Sequence, residues 1–195
     1  MKRSKITFQY NAPTTLSFAL VAFVVLAVAY FMGGHAGGFV RTFFSVYRSS
    51  LLDPLTYLRF FTHVLGHADL AHYTGNIILM LTLGPTLEER YGSCTILGAI
   101  LITAFISGLI QWIFFPGIML MGASGIVFMM IIMASLGGMQ GGGIPLTLVF
   151  VFLFYVGGEV YNGVFLNDNI SQLTHIVGGI CGAVLGILIR RGGRN

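Results

Sequence analysis

Charged residues are scarce in this chain. Ten basic and six acidic residues make up 8% of its 195 positions, against about 25% in soluble globular proteins, which excludes an ordinary soluble domain. The net charge of +4 comes from clusters at the two ends rather than from a basic stripe with interleaved aromatic residues, so no nucleic-acid partner is indicated. We interpret the basic balance as a sign of membrane topology.

Cysteine is also rare, and the two that are present, Cys94 and Cys181, match no metal-binding or redox spacing. Both lie in or beside apolar runs, which favours a packing role. Hydrophobic residues (56%) and glycine (27 residues) are abundant instead, and glycine is more frequent in transmembrane helices than in soluble ones. No fixed-period repeat and no separate soluble domain is evident. A polytopic membrane protein is expected.

Six apolar stretches approach the length of about 20 residues that a helix needs to cross a bilayer. They cover residues 15–32, 70–87, 95–115, 122–136, 146–165 and 174–189. We therefore predict an all-α membrane protein, a single six-transmembrane-helix domain over residues 1–195. The first stretch has an alternative interpretation as a signal peptide with a cleavage site at Ala27-Val28-Ala29. Its apolar run continues through Phe31 and Met32, which favours a membrane span.

The distribution of basic residues predicts the orientation of the six spans. Seven of them fall on the side that carries both termini: Lys2, Arg3, Lys5, Arg90, Arg190, Arg191 and Arg194. Three fall on the opposite side: Arg41, Arg48 and Arg59. The positive-inside rule thus places both termini in the cytoplasm of a multi-pass cell-membrane protein. The long connection between the first two spans mixes aromatic and polar residues, as expected of a segment lying in the outer interface.

Strongly polar residues within spans are costly and mark function by default. Here they cluster at the starts of the second, fourth and sixth spans: His63, His67, His72, Asn76, Ser124 and His175. Because these three spans run in the same direction, all six residues are expected at one depth, near the outer surface. This convergence predicts a single site that opens to the extracytoplasmic side.

The residue types at this depth suit acyl transfer. His72 and Asn76 are four residues apart and share a helix face, so both side chains can donate a hydrogen bond to one oxygen. Ser124 starts a helix, where unpaired N–H groups and the helix dipole favour a developing anion. Gly122 and Gly125 leave room for close approach.

His175 is the candidate base for Ser124, provided that the sixth span packs tightly on the fourth. Glycines that permit such packing recur every four residues, at Gly178, Gly182 and Gly186. A serine, a histidine and a cluster of proton donors are the components of nucleophilic acyl transfer. Neither Asp69 nor Asp168 has a spacing that places it behind the base, so a Ser-His dyad is predicted.

The polar residues have two other interpretations, a metal site and an ion pathway. His63 and His67 are four apart, but no carboxylate or thiol completes a metal-ligand set, so no metal is predicted. A transporter would use His67, His72, His175 and Glu159 as an ion pathway. Such sites usually lie near the midplane between internal repeats, which the sequence lacks. At the cytoplasmic edge, Glu88, Glu89 and Arg90 suggest an anchoring ion-pair cluster.

These residues occur in ordered segments that resemble the rhomboid family of intramembrane serine proteases, in its six-helix bacterial form. The resemblance runs from about Arg59 to Arg190. Its segments are Arg59-Phe-Phe-Thr-His63, His67-Ala-Asp-Leu-Ala-His72-Tyr-Thr-Gly-Asn76, Glu88-Glu-Arg90-Tyr-Gly92, Gly122-Ala-Ser124-Gly125, and His175-Ile-Val-Gly178 leading to Gly182. Each segment alone is a weak indicator of the family, whereas the five segments in this order are highly specific for it.

The resemblance implies that Ser124 is the nucleophile and His175 the general base. It also implies an oxyanion hole formed by His72, Asn76 and the backbone N–H of Ser124. The residues implied to support the site are Gly122, Gly125, Phe128, His67, Gly178 and Gly182. Single-span membrane proteins are the implied substrates, admitted between spans two and five, and no cofactor is implied.

Two positions depart from the family pattern. Leu58 precedes Arg59 where many members carry a Trp-Arg pair, which leaves the anchoring of the first loop open. Phe128 stands where relatives often have a tyrosine stacked on the catalytic histidine, so no hydroxyl is available there. A proteolytically inactive relative that binds membrane helices is the alternative, and the presence of both Ser124 and His175 argues against it.

Overall fold

Helices make up nearly all of the regular structure in the computed structural model, which describes residues 9–33, 38–137, 146–151, 153 and 169–192. In these residues the α-helices are α1 (Pro13–Phe31), α2 (Gly38–Phe43), α3 (Pro54–Thr62), α4 (Leu70–Tyr91), α5 (Ser93–Phe114), α6 (Ser124–Gly137), α7 (Leu146–Val151) and α8 (Asn169–Gly192). A 3₁₀ turn, His63–Leu65, follows α3. The described chain is thus all-α, as predicted.

Two of these helices, α1 and α5, are long and apolar enough to cross a membrane, and α6 and residues 174–189 of α8 form shorter apolar helices. Helices α1, α4, α5 and α6 begin and end within four residues of the predicted apolar stretches, whereas α8 begins five residues before the predicted sixth stretch and ends three residues after it. Of the predicted fifth span, α7 covers 146–151. Most of its remainder, including Glu159, lies outside the described residues.

Helix α6 occupies the centre of the bundle. Its side chains are apolar on every face, which is typical of a helix buried all round, and Ile126, Met129, Met130 and Met133 are fully buried. It packs most extensively on α8 and also contacts α4 and α5. The start of α6 is therefore held in place by three neighbouring helices.

The first turn of α1 is capped by a side chain from another helix. The carboxylate of Glu88, near the end of α4, accepts hydrogen bonds from Thr14 N (3.0 Å), Thr15 N (2.7 Å) and Thr15 Oγ1 (2.6 Å). A buried anion at a helix N-terminus satisfies unpaired N–H groups and complements the helix dipole. The predicted ion-pair role of Glu88 is therefore wrong. Among the described residues, the salt bridge found joins Arg59 and Asp53 and does not involve Glu88.

Replacing Glu88 with alanine should lower the free energy of unfolding by about 2–4 kcal/mol, because charge-assisted hydrogen bonds are lost and buried donors are left unpaired. Glu89 is exposed, so Glu89→Ala is the matched control and should change stability by less than about 0.5 kcal/mol. Thermal unfolding in mild detergent measures both. Equal losses in the two variants would contradict the capping role.

The connection between α1 and α4 is anchored by a buried arginine. Arg59, 3% exposed, donates from Nε to the Thr42 carbonyl at 2.7 Å and pairs with Asp53 at 3.2 Å. Its guanidinium also lies 4.8 Å from the centre of the Tyr47 ring. The preceding Leu58 is 45% exposed. This loop is therefore tied together through Arg59 without a tryptophan beside it.

Candidate active site

The turn that precedes α6 is held in place by backbone hydrogen bonds. The N–H of Gly122 donates to the His63 carbonyl at 3.0 Å, and Leu120 exchanges two backbone hydrogen bonds of 2.9 Å with Val46. Gly122 has a φ of +121°, a conformation that glycine adopts without the penalty of a side chain. The loop between α1 and α4 thus fixes the turn from which Ser124 projects.

Ser124 is the first residue of α6 and is half-buried. The helical hydrogen-bond ladder begins with Val127 N donating to Ala123 O at 2.9 Å. The N–H groups of the first turn have no partner within a helix and carry the positive end of its dipole. The serine hydroxyl thus lies next to backbone donors that suit an anionic oxygen.

His72 and Asn76 lie on one face of α4 and converge on the same turn. A methyl group at Gly122 would lie 2.7 Å from His72 Nε2 and 3.9 Å from Asn76 Nδ2. Ala68 N donates to His72 Nδ1 at 3.4 Å, so the neutral ring carries its proton on Nε2. One N–H of Asn76 is used by the His72 carbonyl, at 3.1 Å. Both side chains therefore present N–H groups beside Gly122.

Helix α8 holds His175 beside the first turn of α6. Its ring stacks on that of Phe128 with the centroids 4.2 Å apart and the planes 6° apart. Phe128 lies one turn after Ser124, on the same face of α6. The structure thus brings residues from α4, α6 and α8 to one end of the bundle.

The close contact of α8 with α6 depends on glycines that face α6. A Cβ at Gly178 would overlap the carbonyl oxygen of Gly125, and one at Gly182 would lie 2.5 Å from the carbonyl oxygen of Met129. Thr174, which precedes the histidine, already packs against Gly125, where an added Cβ would meet its Cγ2 at 3.0 Å. Because glycine has no side chain, the backbones of α8 and α6 come into contact at these positions. His175 therefore lies close to the start of α6.

Two further histidines, His63 and His67, lie next to these residues in the loop that precedes α4. His67 is buried, and its ring meets those of His72 and Tyr73 edge-on at centroid distances of 5.1 and 5.5 Å. His63 is buried as well, with Nδ1 3.1 Å from the Arg59 carbonyl. Burial lowers the pKa of His63 to about 4, so its ring is neutral at pH 7. Sequence reasoning missed that the His63 carbonyl holds the turn before Ser124, because a backbone contact leaves no residue-type signal.

Asp69 has a different role from those of the site residues. Its Oδ1 accepts from His72 N at 2.7 Å, which makes it the N-cap of α4. Asp168, the other aspartate considered beside the base, lies outside the described residues. The arrangement as described is a serine, a histidine and a group of N–H donors, which is chemically suited to a dyad mechanism.

Comparison with known proteins places this chain in a family. Rhomboid-related protein 1 of Caenorhabditis elegans is 32% identical over 141 residues, which cover 67% of this chain and 39% of the worm protein. Rhomboid-related protein 2 of Mus musculus is 29% identical over 160 residues, 71% of this chain and 53% of the mouse protein. The chain thus spans about two fifths to one half of these relatives. The model of the Rhomboid domain matches residues 54–192, and the chain belongs to the rhomboid family of membrane proteins.

Proposed function

We propose that this protein is an intramembrane serine protease that hydrolyses a peptide bond in or near the outer end of substrate transmembrane helices. One observation carries the proposal: the N–H donors of His72 and Asn76 converge beside Gly122, two residues before Ser124. His175 stacks on Phe128, which lies one turn after Ser124 on α6. Family membership supports the same conclusion, since the family includes serine proteases.

In the proposed mechanism, the Ser124 hydroxyl attacks the carbonyl carbon of the scissile peptide and His175 accepts the hydroxyl proton. The negative charge that develops on the carbonyl oxygen is stabilised by His72, Asn76 and the N–H of Ser124. His175 then protonates the leaving amine. Water, deprotonated by His175, then attacks the acyl-enzyme. The bond between the acyl carbon and the Ser124 oxygen breaks, His175 returns its proton to that oxygen, and the second product leaves.

The proposed membrane arrangement has six spans with both termini in the cytoplasm. It is supported by the seven-to-three distribution of basic residues and by the apolar α1, α5, α6 and α8. In this orientation the site opens to the extracytoplasmic side, from which water enters. A substrate helix must unwind locally to expose a carbonyl, so glycine, proline or polar residues near its outer end should favour cleavage. The expected cut follows a small residue, as in other rhomboid proteases.

Asn76→Ala should lower turnover by about 10²–10³-fold, because it removes one oxyanion donor, an effect of about 2.7–4 kcal/mol. Its matched control is Thr74→Ala on the same helix, whose hydroxyl bonds to the Leu70 carbonyl at 2.8 Å away from the site. Steady-state cleavage of a model substrate measures both. A loss in the control as large as in Asn76→Ala would show that the effect is not specific to the oxyanion.

The function is tested by incubating the protein, reconstituted in lipid vesicles, with a panel of single-span membrane proteins. Mass spectrometry then maps any cut. We expect cleavage after a small residue near the outer boundary of a substrate helix. Binding of these helices without a cut would favour the inactive, helix-binding alternative and contradict the proposal.

A further inference from the structure

A cavity lies beside the candidate active site, between the C-terminal half of α1 and the start of α4. Its volume is about 290 Å³. Aromatic side chains of α1, namely Phe23, Tyr30 and Phe31, form one side, and His67 and Asp69 line the other. Because Tyr30 and Phe31 are 76% and 85% exposed, the cavity opens to the surroundings of the bundle rather than to its core.

The polar groups at this cavity are acceptors. His67 Nδ1 lies 3.3 Å from the Leu65 carbonyl, so it carries the ring proton, and Nε2 has no hydrogen-bond partner in the described structure. Burial lowers the pKa of His67 to about 4, so this ring stays neutral at pH 7. The carboxylate of Asp69 is exposed at the rim. Because Nε2 is itself buried, the Asp69 carboxylate is the acceptor that an occupant can reach, and an occupant that carries positive charge and donates hydrogen bonds would complement it.

The walls of the cavity favour the same kind of occupant. Aromatic faces attract cations, including both primary and quaternary ammonium groups, so the choice between these two depends on the hydrogen bond to Asp69. Leu26 and Ala27 continue the lining along α1 and offer an apolar surface for an acyl chain. A cavity near 300 Å³ is large enough for a small polar group and the beginning of its chains.

We propose that this cavity binds phosphatidylethanolamine from the leaflet at the active-site end of the bundle, with its ammonium group between Asp69 and the aromatic walls. Phosphatidylcholine has no N–H to donate, and phosphatidylglycerol carries no positive charge to offset its phosphate. This lipid site is separate from the proposed proteolysis and does not depend on it, because no group in it has to react.

Native mass spectrometry of the full chain tests this proposal. The protein is released from micelles that contain equimolar phosphatidylethanolamine, phosphatidylcholine and phosphatidylglycerol with the same acyl chains. We expect phosphatidylethanolamine to be retained about fivefold more than either of the others. Equal retention of the three lipids, or preference for phosphatidylglycerol, would overturn the proposal.

Three variants locate the binding. Ala27→Leu fills the cavity, and Asp69→Asn removes the charge while keeping an oxygen to cap α4; each should abolish the preference. Val24→Leu, on the exposed side of α1, adds the same kind of bulk outside the cavity and should retain it. A preference that survives in both cavity variants, or is lost in Val24→Leu, would overturn the assignment. Displacement of the lipid by excess substrate helix would assign the cavity to substrate instead.

Discussion

Ser124→Ala is expected to lower turnover by about 10⁶-fold, the size of effect that follows removal of a serine-protease nucleophile. The alcohol oxygen forms the bond to the substrate carbonyl, and no other atom of the site is proposed to do so. His175→Ala should cost a similar factor, because the two residues act as one unit and their losses are not additive. Cleavage of a model single-span substrate in vesicles measures both.

Ser135 provides a matched control on the same helix. It is buried and its hydroxyl donates to the Ile131 carbonyl at 2.8 Å, and it lies eleven residues from Ser124, about 16 Å along the helix. Ser135→Ala should therefore keep its turnover. Ser124→Ala should keep the unfolding temperature of the wild type, because the change removes one half-buried hydroxyl. Full activity of Ser124→Ala would refute the nucleophile assignment.

Gly178→Ala is expected to lower turnover by about 10²-fold or more, because it moves the base away from the nucleophile. An added Cβ would overlap the carbonyl oxygen of Gly125, and a backbone atom cannot turn aside as a flexible side chain can. Helix α8 must then shift from α6 and carry His175 with it. Misplacement of a reacting group by about 1 Å costs about 10²-fold, and overpacking costs about 1–3 kcal/mol of stability.

The neighbouring glycine is the control for this prediction. A Cβ at Gly179 would have its nearest neighbour, Ile132 Cγ1, at an ordinary 3.9 Å. Gly179→Ala should therefore keep activity and gain up to about 1 kcal/mol from the higher helix propensity of alanine. Turnover and thermal unfolding of the two variants distinguish the cases. Identical behaviour of Gly178→Ala and Gly179→Ala would contradict the role of close helix contact.

Much of the site could be predicted from the sequence because polar residues are conspicuous in an apolar chain. His72, Asn76, Ser124 and His175 stand out against their surroundings, and all four lie within the first seven residues of a helix in the structure. The glycines spaced by four after His175 likewise predicted a close helix contact, and they do face α6. The regular spacing of the glycines and the scarcity of polar residues can both be recognised in a single sequence.

Contacts between distant residues could not be predicted in this way. Glu88 caps a helix that begins 75 residues earlier in the chain, and its neighbours Glu89 and Arg90 suggested an ion pair instead. Arg59 satisfies its charge through a carbonyl, a carboxylate and an aromatic ring. Such partners are chosen by the tertiary fold, and no spacing in the sequence specifies them.

Covalent labelling with a fluorophosphonate tests the central claim most directly, because it needs an activated serine and no knowledge of the natural substrate. The folded protein in detergent is labelled, digested and examined by tandem mass spectrometry. We predict one phosphonylated residue, Ser124, with labelling lost in His175→Ala. An unlabelled wild-type protein, or an adduct on a different residue, would contradict the account.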